Sequence, residues 1–113
     1  MITAQTSAGQ GAWTEAEQAL AQQALAIARQ RETETILAVV RERAADVNNL
    51  EDLWQISDFL NARRFDLDGK YAFDCETLIF GFARLVKEGW LAPEELSGLA
   101  RDKVARIRSL SRM

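Results

Sequence analysis

Apolar residues recur at helical spacing along most of this chain, and no stretch alternates in the manner of a β-strand. The first helix is predicted to begin after Thr14, because Thr14 and Glu17 form a capping-box pattern. Neither proline nor glycine occurs from there to Val47, so one helix of roughly 33 residues is favoured over a hairpin that breaks near 29–34. Its apolar residues form two stripes: Leu20, Ala24, Ile27 and Ala28, then Ile36, Val39, Val40 and Val47.

The length of this helix bears on assembly. At 1.5 Å per residue it would be about 50 Å long, whereas a compact chain of this size has a radius of gyration of about 13 Å. The helix is therefore expected to project beyond its own domain with an apolar stripe uncovered. A second copy of the chain is the simplest cover for that stripe, so the sequence predicts a homodimer.

Shorter helices joined by turns are predicted for the rest of the chain. The second helix covers about 50–64 and is followed by a turn at 65–70. The third is the most apolar; it starts near Asp74, its predicted cap, and ends at Gly89. The last starts at Pro93, and most of its basic residues lie opposite its apolar stripe. The predicted fold class is all-α with short connections.

Composition sets the size and compartment that we expect. With 113 residues, the chain is one domain by length, and we assign the helical domain to 13–113 and a disordered segment to 1–12. No signal peptide and no membrane-spanning run is present, which predicts a cytoplasmic protein without integral membrane association. An overall pI of about 5.0 argues against nucleic-acid binding, despite the basic last helix.

The available side-chain chemistry predicts neither an enzyme nor a cofactor. The chain has no histidine, so the commonest general base and metal ligand is missing, and one cysteine, Cys75, allows no internal disulfide. The string DLDG at 66–69 resembles the start of a calcium loop, but its glycine is misplaced and the bidentate glutamate is lacking. No nucleophile, base and orienting group can be assembled, and no metal site is predicted.

Positive charge collects at the end of the chain. Residues 101–113 carry five basic groups against one acidic group, a net of +4, while the whole chain has a net charge of −3. A basic end on an acidic protein indicates an acidic partner for that end. The other interpretation, a solvated face of a terminal helix, remains open.

Several motifs in order resemble one family. They are DLW at 52–54, DFLNARR at 58–64, DLDGKY at 66–71, LVKEGW at 85–90 and EELSGLARDK at 94–103. Together they resemble the fluorescence recovery protein family of cyanobacteria, over roughly residues 13–113. The resemblance implies an all-helical homodimer, in which a long helix forms an extended body and the later helices form a head at each end.

The same resemblance implies a function. Members of this family bind the light-activated form of the orange carotenoid protein and accelerate its return to the inactive orange form. They also help to detach it from the phycobilisome, which ends photoprotective quenching. A chain of this kind would work at the periphery of the thylakoid in a cyanobacterium.

The resemblance also assigns residues. By position in the matching motifs, it implies partner binding by Trp54, Asp58 and Arg64, and a second contact in the head at Phe80 and Arg106. The resemblance implies that Leu53 lies in the dimer interface, and the full predicted interface is Leu53, Trp54, Leu50, Ile36 and Val40.

Alternatives from the residues themselves stay open. Trp54 could be plain core or dimer interface, Phe80 could be core of an apolar helix, and Arg106 could be a solvated charge. Well-known members of the family have histidine where this chain has Ser57 and Phe65. These two differences support a second hypothesis, a dimeric helical scaffold or signalling module with another partner, in an organism without the carotenoid protein.

Overall fold

The structure is a computed structural model, and it describes residues 12–113. Four α-helices and one short 3₁₀ helix follow one another, and no residue of this range lies in a strand. The all-α prediction is confirmed. The helices are α1 (Glu15–Ala45), α2 (Leu50–Leu67), α3 (Leu78–Glu88), the 3₁₀ helix (Pro93–Leu96) and α4 (Arg101–Ser111).

α1 is a single helix, so the alternative hairpin is wrong. Its first turn is closed by the predicted capping box: the Glu17 amide donates to Thr14 Oγ1 at 3.0 Å, and the Thr14 amide donates to Glu17 Oε1 at 3.1 Å. The helix has 31 residues and ends at Ala45, two residues before the predicted end. Thirty-one residues correspond to about 46 Å of helix.

The core lies at one end of the molecule. It is formed by the first half of α1, by α3, by the 3₁₀ helix with its flanking residues, and by α4; we call this part the head. The second half of α1 projects from the head and pairs with α2, and we call this hairpin the arm. The buried apolar residues are Ala21, Ala24, Leu25, Ala28, Leu78, Ile79, Phe82, Ala83, Leu85, Leu91, Leu96, Leu99 and Ile107.

The arm gives the molecule its elongated shape. The described residues extend over 64 × 24 × 22 Å with a radius of gyration of 17.8 Å, well above the value of about 13 Å for a compact chain of this length. None of the buried core residues comes from α2. The expectation that the long helix projects beyond its domain is confirmed. Its projecting apolar stripe is half-buried in the single chain and not fully uncovered, because α2 packs beside it; the stripe is Ile36, Val39, Val40 and Val47.

Two more helix boundaries differ from the prediction. α2 continues to Leu67, so the turn after it is shorter than expected. α3 starts at Leu78, not near Asp74, because Asp74 Oδ1 accepts from the Glu76 amide at 3.0 Å and holds a local turn instead of a helical cap. Its other end is as predicted: Gly89 takes φ 88°, the left-handed conformation in which glycine terminates a helix.

The predicted last helix is split in two. The 3₁₀ helix ends at Leu96, and α4 begins only at Arg101. Between them Ala100 is extended, and its amide donates to Glu17 Oε2 of α1 at 2.8 Å. This contact across 83 positions uses a backbone donor that a continuous helix would need for itself.

The basic residues of α4 are mainly exposed, as predicted, but Lys103 is an exception. Its side chain is buried, with Nζ 2.8 Å from Glu17 Oε1 and 4.7 Å from the centroid of the Trp13 ring. The Glu17 carboxylate therefore joins the start of α1 to the start of α4. Burial raises the pKa of Glu17, but hydrogen bonds from Lys103 and two backbone amides outweigh it and bring the pKa below its usual value.

The predictions of a disordered N-terminal segment and of no membrane-spanning helix remain. The predicted disordered segment 1–12 lies outside them except for Ala12. Across 12–113, no helix is both long enough and apolar enough to cross a membrane.

Candidate functional site

The outward face of α2 carries the first group of predicted contact residues. α2 packs on α1 through half-buried residues that include Ile56, Phe59 and Arg63. On the opposite face, residues at helical spacing are all exposed. These are Trp54, Asp58, Asn61 and Phe65. Trp54 keeps 55% of its surface exposed and Phe65 keeps 85%, so neither belongs to the core of the single chain.

Two charges flank the aromatic residues of this face. Asp58 and Arg64 are both exposed, and neither forms an ion pair with another residue of 12–113. Because more than half of the Trp54 surface is exposed, the alternative in which Trp54 is plain core is wrong for the single chain. Large exposed apolar side chains with unengaged charges beside them are typical of a surface that another protein covers.

The predicted dimer-interface residues occupy the arm. Leu50, Leu53 and Trp54 are exposed large hydrophobic residues of α2, whereas Ile36 and Val40 of α1 are half-buried. The rest of the described chain leaves these five residues partly or largely accessible to solvent. Their assignment to an interface between two copies stays a prediction.

The head carries the second group. α3 is otherwise the most buried helix, yet Phe80 is 59% exposed, so its interpretation as core is wrong for the single chain. Phe80 borders a cleft of about 380 Å³ between α3 and the segment that follows α2, and the side chain of Arg84 lines the same cleft. Arg106 is exposed on α4, as its periodicity predicts.

A buried charge cluster between arm and head was missed at the sequence level. Glu32 of α1 is fully buried. Glu32 Oε1 accepts from Lys70 Nζ at 2.8 Å and from the Tyr71 hydroxyl at 2.5 Å, while Glu32 Oε2 pairs with Arg63 of α2. The sequence signal was present, because Glu32 follows Leu25 and Ala28 at helical spacing and so lies on the core face of α1.

The cluster continues from Glu32 to α3. The Lys70 side chain is only 2% exposed and also contacts Glu88 at 2.6 Å. Arg84 bridges Asp66 of α2, at 2.6 Å, and Glu88, at 2.8 Å. Three acidic and three basic groups thus alternate and balance in charge: Glu32, Asp66 and Glu88 with Arg63, Lys70 and Arg84.

The pKa values in the cluster follow from these contacts. The hydrogen bond from Arg84 lowers the pKa of Asp66. Burial raises the pKa of Glu88, but hydrogen bonds from Lys70 and Arg84 outweigh it and lower the pKa below its usual value. Burial and the bond to Glu32 raise the pKa of the Tyr71 hydroxyl far above its usual value, so Tyr71 stays a proton donor.

A bidentate ion pair joins α1 to the 3₁₀ helix. Arg31 Nη1 and Nη2 each donate to a carboxylate oxygen of Glu95 at 2.8 Å, and Nη1 also donates to the Trp90 carbonyl at 3.0 Å. Glu95 Oε1 in turn accepts from the Ala92 amide at 2.9 Å. The hydrogen bond from Arg31 is the main reason that the pKa of Glu95 falls to about 2.

Residues 12–113 contain no group of three or more cysteine, aspartate and glutamate side chains placed to hold a metal ion. Cys75 is half-buried against the core. The candidate site is therefore a pair of exposed surfaces, one on α2 and one on the head, joined by the Glu32 cluster.

These features define an all-helical protein with a compact head, a projecting arm and exposed surfaces on both. Residues 13–111 match the family model described as photoprotection regulator fluorescence recovery protein. The chain belongs to the fluorescence recovery protein family, which confirms the resemblance that its motifs indicated.

Individual relatives agree with this assignment. Over 101 residues, 89% of this chain and 93% of the relative, the chain is 42% identical to the fluorescence recovery protein of Synechocystis sp.. The solved structure of the Fremyella diplosiphon fluorescence recovery protein superposes with a TM-score of 0.86 at 44% identity, covering 90% of this chain and all of that one. The solved Synechocystis structure gives 0.87 at 41% identity, with the same coverage.

Proposed function

We propose that this protein binds the photoactivated orange carotenoid protein and accelerates its return to the inactive orange form. The observation that carries the proposal is the family match across residues 13–111, in a family of photoprotection regulators. The exposed side chains of Trp54, Asp58 and Arg64 support it, since these are the residues that the resemblance assigns to partner binding. In a cyanobacterium the action would end quenching at phycobilisomes on the thylakoid surface.

The proposed mechanism is binding without covalent chemistry, so the protein is not an enzyme. A photoactivated partner with separated domains exposes surfaces that its dark form hides. A protein that contacts both domains raises their effective concentration and speeds their closure. It accelerates the return only if it binds the closing transition state more tightly than the open state.

Each of the two surfaces makes its own contact with the partner in this proposal. The face of α2 around Trp54 supplies a contact with aromatic and charged groups, and the head supplies Phe80 and Arg106. The positive charge of α4 would attract an acidic domain of the partner. Affinity should therefore fall as salt is raised, since exposed charges are screened over about 10 Å at 0.1 M salt.

We also propose a homodimer held together along the arm. The arm leaves Leu50, Leu53 and Trp54 exposed, and α2 contributes nothing to the core of its own chain. A second copy of the chain would cover these residues with the same residues of its own arm, as two-fold symmetry requires.

The test is the dark relaxation of photoactivated orange carotenoid protein, followed by absorbance with and without this protein. We expect marked acceleration at substoichiometric amounts, since the protein is released after each closure. No acceleration by a correctly folded protein would rule out the proposed function.

A different partner is the second candidate. Ser57 and Phe65 stand where well-known family members have histidine, and Phe65 is the most exposed large hydrophobic residue of the described chain. The protein would then be a dimeric helical scaffold or signalling module. A genomic neighbourhood without a carotenoid-protein gene, together with no effect on recovery, would favour this candidate.

A further inference from the structure

Glu32 joins α2 to the head through polar contacts, since no buried apolar residue of α2 does so. Every residue of the buried core belongs to the head, and α2 contributes none. The position of α2 relative to the head therefore depends on other contacts near its end. Glu32 supplies them from α1, because its two carboxylate oxygens engage Arg63 of α2 and both Lys70 and Tyr71 of the following segment.

The contact with Arg63 sets the direction of its neighbour. Consecutive residues of a helix point about 100° apart. With Arg63 drawn inward to Glu32, Arg64 is directed to the exposed side of α2. Rotation of this last turn of α2 would break the Glu32–Arg63 pair, so the buried carboxylate fixes where Arg64 points.

The contact with Lys70 also fixes the position of α3 relative to α2. Lys70 also binds Glu88, and Arg84 joins Glu88 to Asp66 of α2. Phe80, Arg84 and Glu88 are spaced four residues apart and share one stripe of α3. A cluster that holds Arg84 and Glu88 against the end of α2 therefore also fixes the exposed Phe80 relative to α2.

We propose that Glu32 is a positioning residue, which holds α2 in one place relative to α1 and the head and so keeps Arg64 and Phe80 at one separation. A scaffold that must contact two domains at once needs such a fixed separation. The link to partner recovery rests on the function proposed above, whereas the geometric part does not.

The chemistry of the junction supports positioning over simple stabilisation. Apolar side chains of similar volume often stabilise a buried site as well as an ion-pair cluster does. Ion pairs and hydrogen bonds differ from apolar contacts in being directional, so they select one arrangement of the helices they join. Here each oxygen of Glu32 is engaged, and the donors come from both sides of the junction.

The decisive variant replaces the buried charges by apolar side chains: Glu32→Leu, Arg63→Met and Lys70→Met together. We expect this triple variant to keep its helix content and most of its thermal stability, because no charge is left buried without a partner and only the Tyr71 hydroxyl loses its acceptor. Its control is Glu17→Leu with Lys103→Met, which treats the other buried ion pair in the same way but lies wholly inside the head.

Spin labels report the geometry. One label is placed on α2 at Gln55→Cys and one on the head half of α1 at Gln23→Cys, both exposed positions, in a Cys75→Ala background. Dilution with unlabelled chains leaves only distances within one chain. We expect a narrow distribution for the labelled parent and for the control, and a clearly broader or shifted one for the triple variant.

Function is read separately. We expect the triple variant to accelerate recovery at least about tenfold less than the parent, with a smaller loss of partner affinity, because misplaced contacts cost the closing step most. An unchanged distance distribution would overturn the proposal. A broadened distribution with undiminished acceleration would overturn its link to recovery.

If the triple variant does not fold, Tyr71→Phe removes a single hydrogen bond to Glu32; we expect partial broadening, and a distribution as narrow as that of the parent contradicts the proposal. If the parent itself does not accelerate recovery, the proposed function fails, and the label distances still decide whether Glu32 positions α2.

Discussion

Trp54 offers the most direct test of the outward face of α2 at the scale of one residue. Its indole is more than half exposed, and α2 contributes no buried residue, so truncation leaves the fold intact. Aromatic residues that stand on such a surface often carry a large part of the binding energy. Their loss therefore weakens a complex more than it weakens the free protein.

We expect Trp54→Ala to reduce partner binding by about 2 kcal/mol or more and to abolish most of the acceleration at a fixed protein concentration. Titration against photoactivated partner measures the affinity, and circular dichroism confirms that the fold is unchanged. Gln55→Ala is the matched control, since Gln55 is also exposed but points about 100° away around the helix. Equal effects of the two substitutions would contradict a role for this face.

Gly98 tests the packing of the head at the same scale. It lies between the 3₁₀ helix and α4, and a Cβ built there would overlap the end of the Leu20 side chain of α1. We expect Gly98→Ala to lower the free energy of unfolding by about 1 kcal/mol, since Leu20 must shift to make room. In a Leu20→Ala background the substitution should cost nothing, as urea denaturation of the four variants would reveal. A cost that persists in that background would point to the backbone instead.

At the scale of the element, the ends that local chemistry determines were predictable from the sequence. Thr14 with Glu17, and Gly89, mark helix ends through contacts within a few residues, and both were predicted correctly. The break before α4 was not, because it depends on the bond from Ala100 to Glu17, which no local pattern reveals. Glu32 was missed although its spacing places it on the core face of α1, because a carboxylate on an apolar stripe looks like an interruption until its partners from α2 and the following segment are known.

The residues of the candidate site divide in the same way, into those whose exposure could be predicted from the sequence and those whose exposure could not. Exposure of Asp58, Arg64 and Arg106 was expected from their polarity. Exposure of Phe80 was not predictable from periodicity, because α3 is apolar on more than one side and the sequence does not say which side meets the core. The family resemblance supplied that assignment.

The ion pair between α1 and the 3₁₀ helix predicts how stability depends on pH. The pKa of Glu95 is lowered in the folded state from 4.5 to about 2, mainly by the hydrogen bond from Arg31. A lowered folded-state pKa stabilises the protein above the unfolded value and loses this contribution as the pH falls through the folded value. The contribution of Glu95 is therefore complete above 4.5 and fades toward 2.

We expect Glu95→Gln to flatten the acid limb of the stability curve over this window. Urea denaturation at a series of pH values measures it, with Glu94→Gln as control, since Glu94 is largely exposed and lies 3.5 Å from Arg108. Asp66 and Glu88, whose pKa values are also lowered, leave part of the acid dependence in both variants. Parallel curves for Glu95→Gln and the parent would show that the Arg31 pair contributes nothing.

At the scale of the whole molecule, the division into head and arm separates folding from assembly. Among residues 12–113 the head holds the entire buried core, so it stabilises the chain, while the arm presents apolar residues that its own chain does not cover. A substitution on the arm can therefore change assembly without unfolding the head. This separation makes the proposed dimer testable with a folded monomer as the expected product.

We expect Leu53→Glu to convert the dimer into a folded monomer. Leu53 is 47% exposed on α2, so the free chain tolerates a carboxylate there. In a two-fold interface the substitution occurs twice and buries two charges without partners, which costs far more than one lost apolar contact. Analytical ultracentrifugation measures the mass, and Gln55→Glu adds the same charge to an exposed position two residues away as a control.

The monomer then separates the two roles of the arm. If Leu53→Glu yields a monomer that still binds the photoactivated partner, the face around Trp54 is available to that partner once the second copy has left. If the monomer no longer binds, the partner needs groups from both copies, and the dimer itself is the binding unit. A Leu53→Glu protein that remains dimeric would instead show that the two copies meet elsewhere, and that the exposed face of α2 is left free for other contacts.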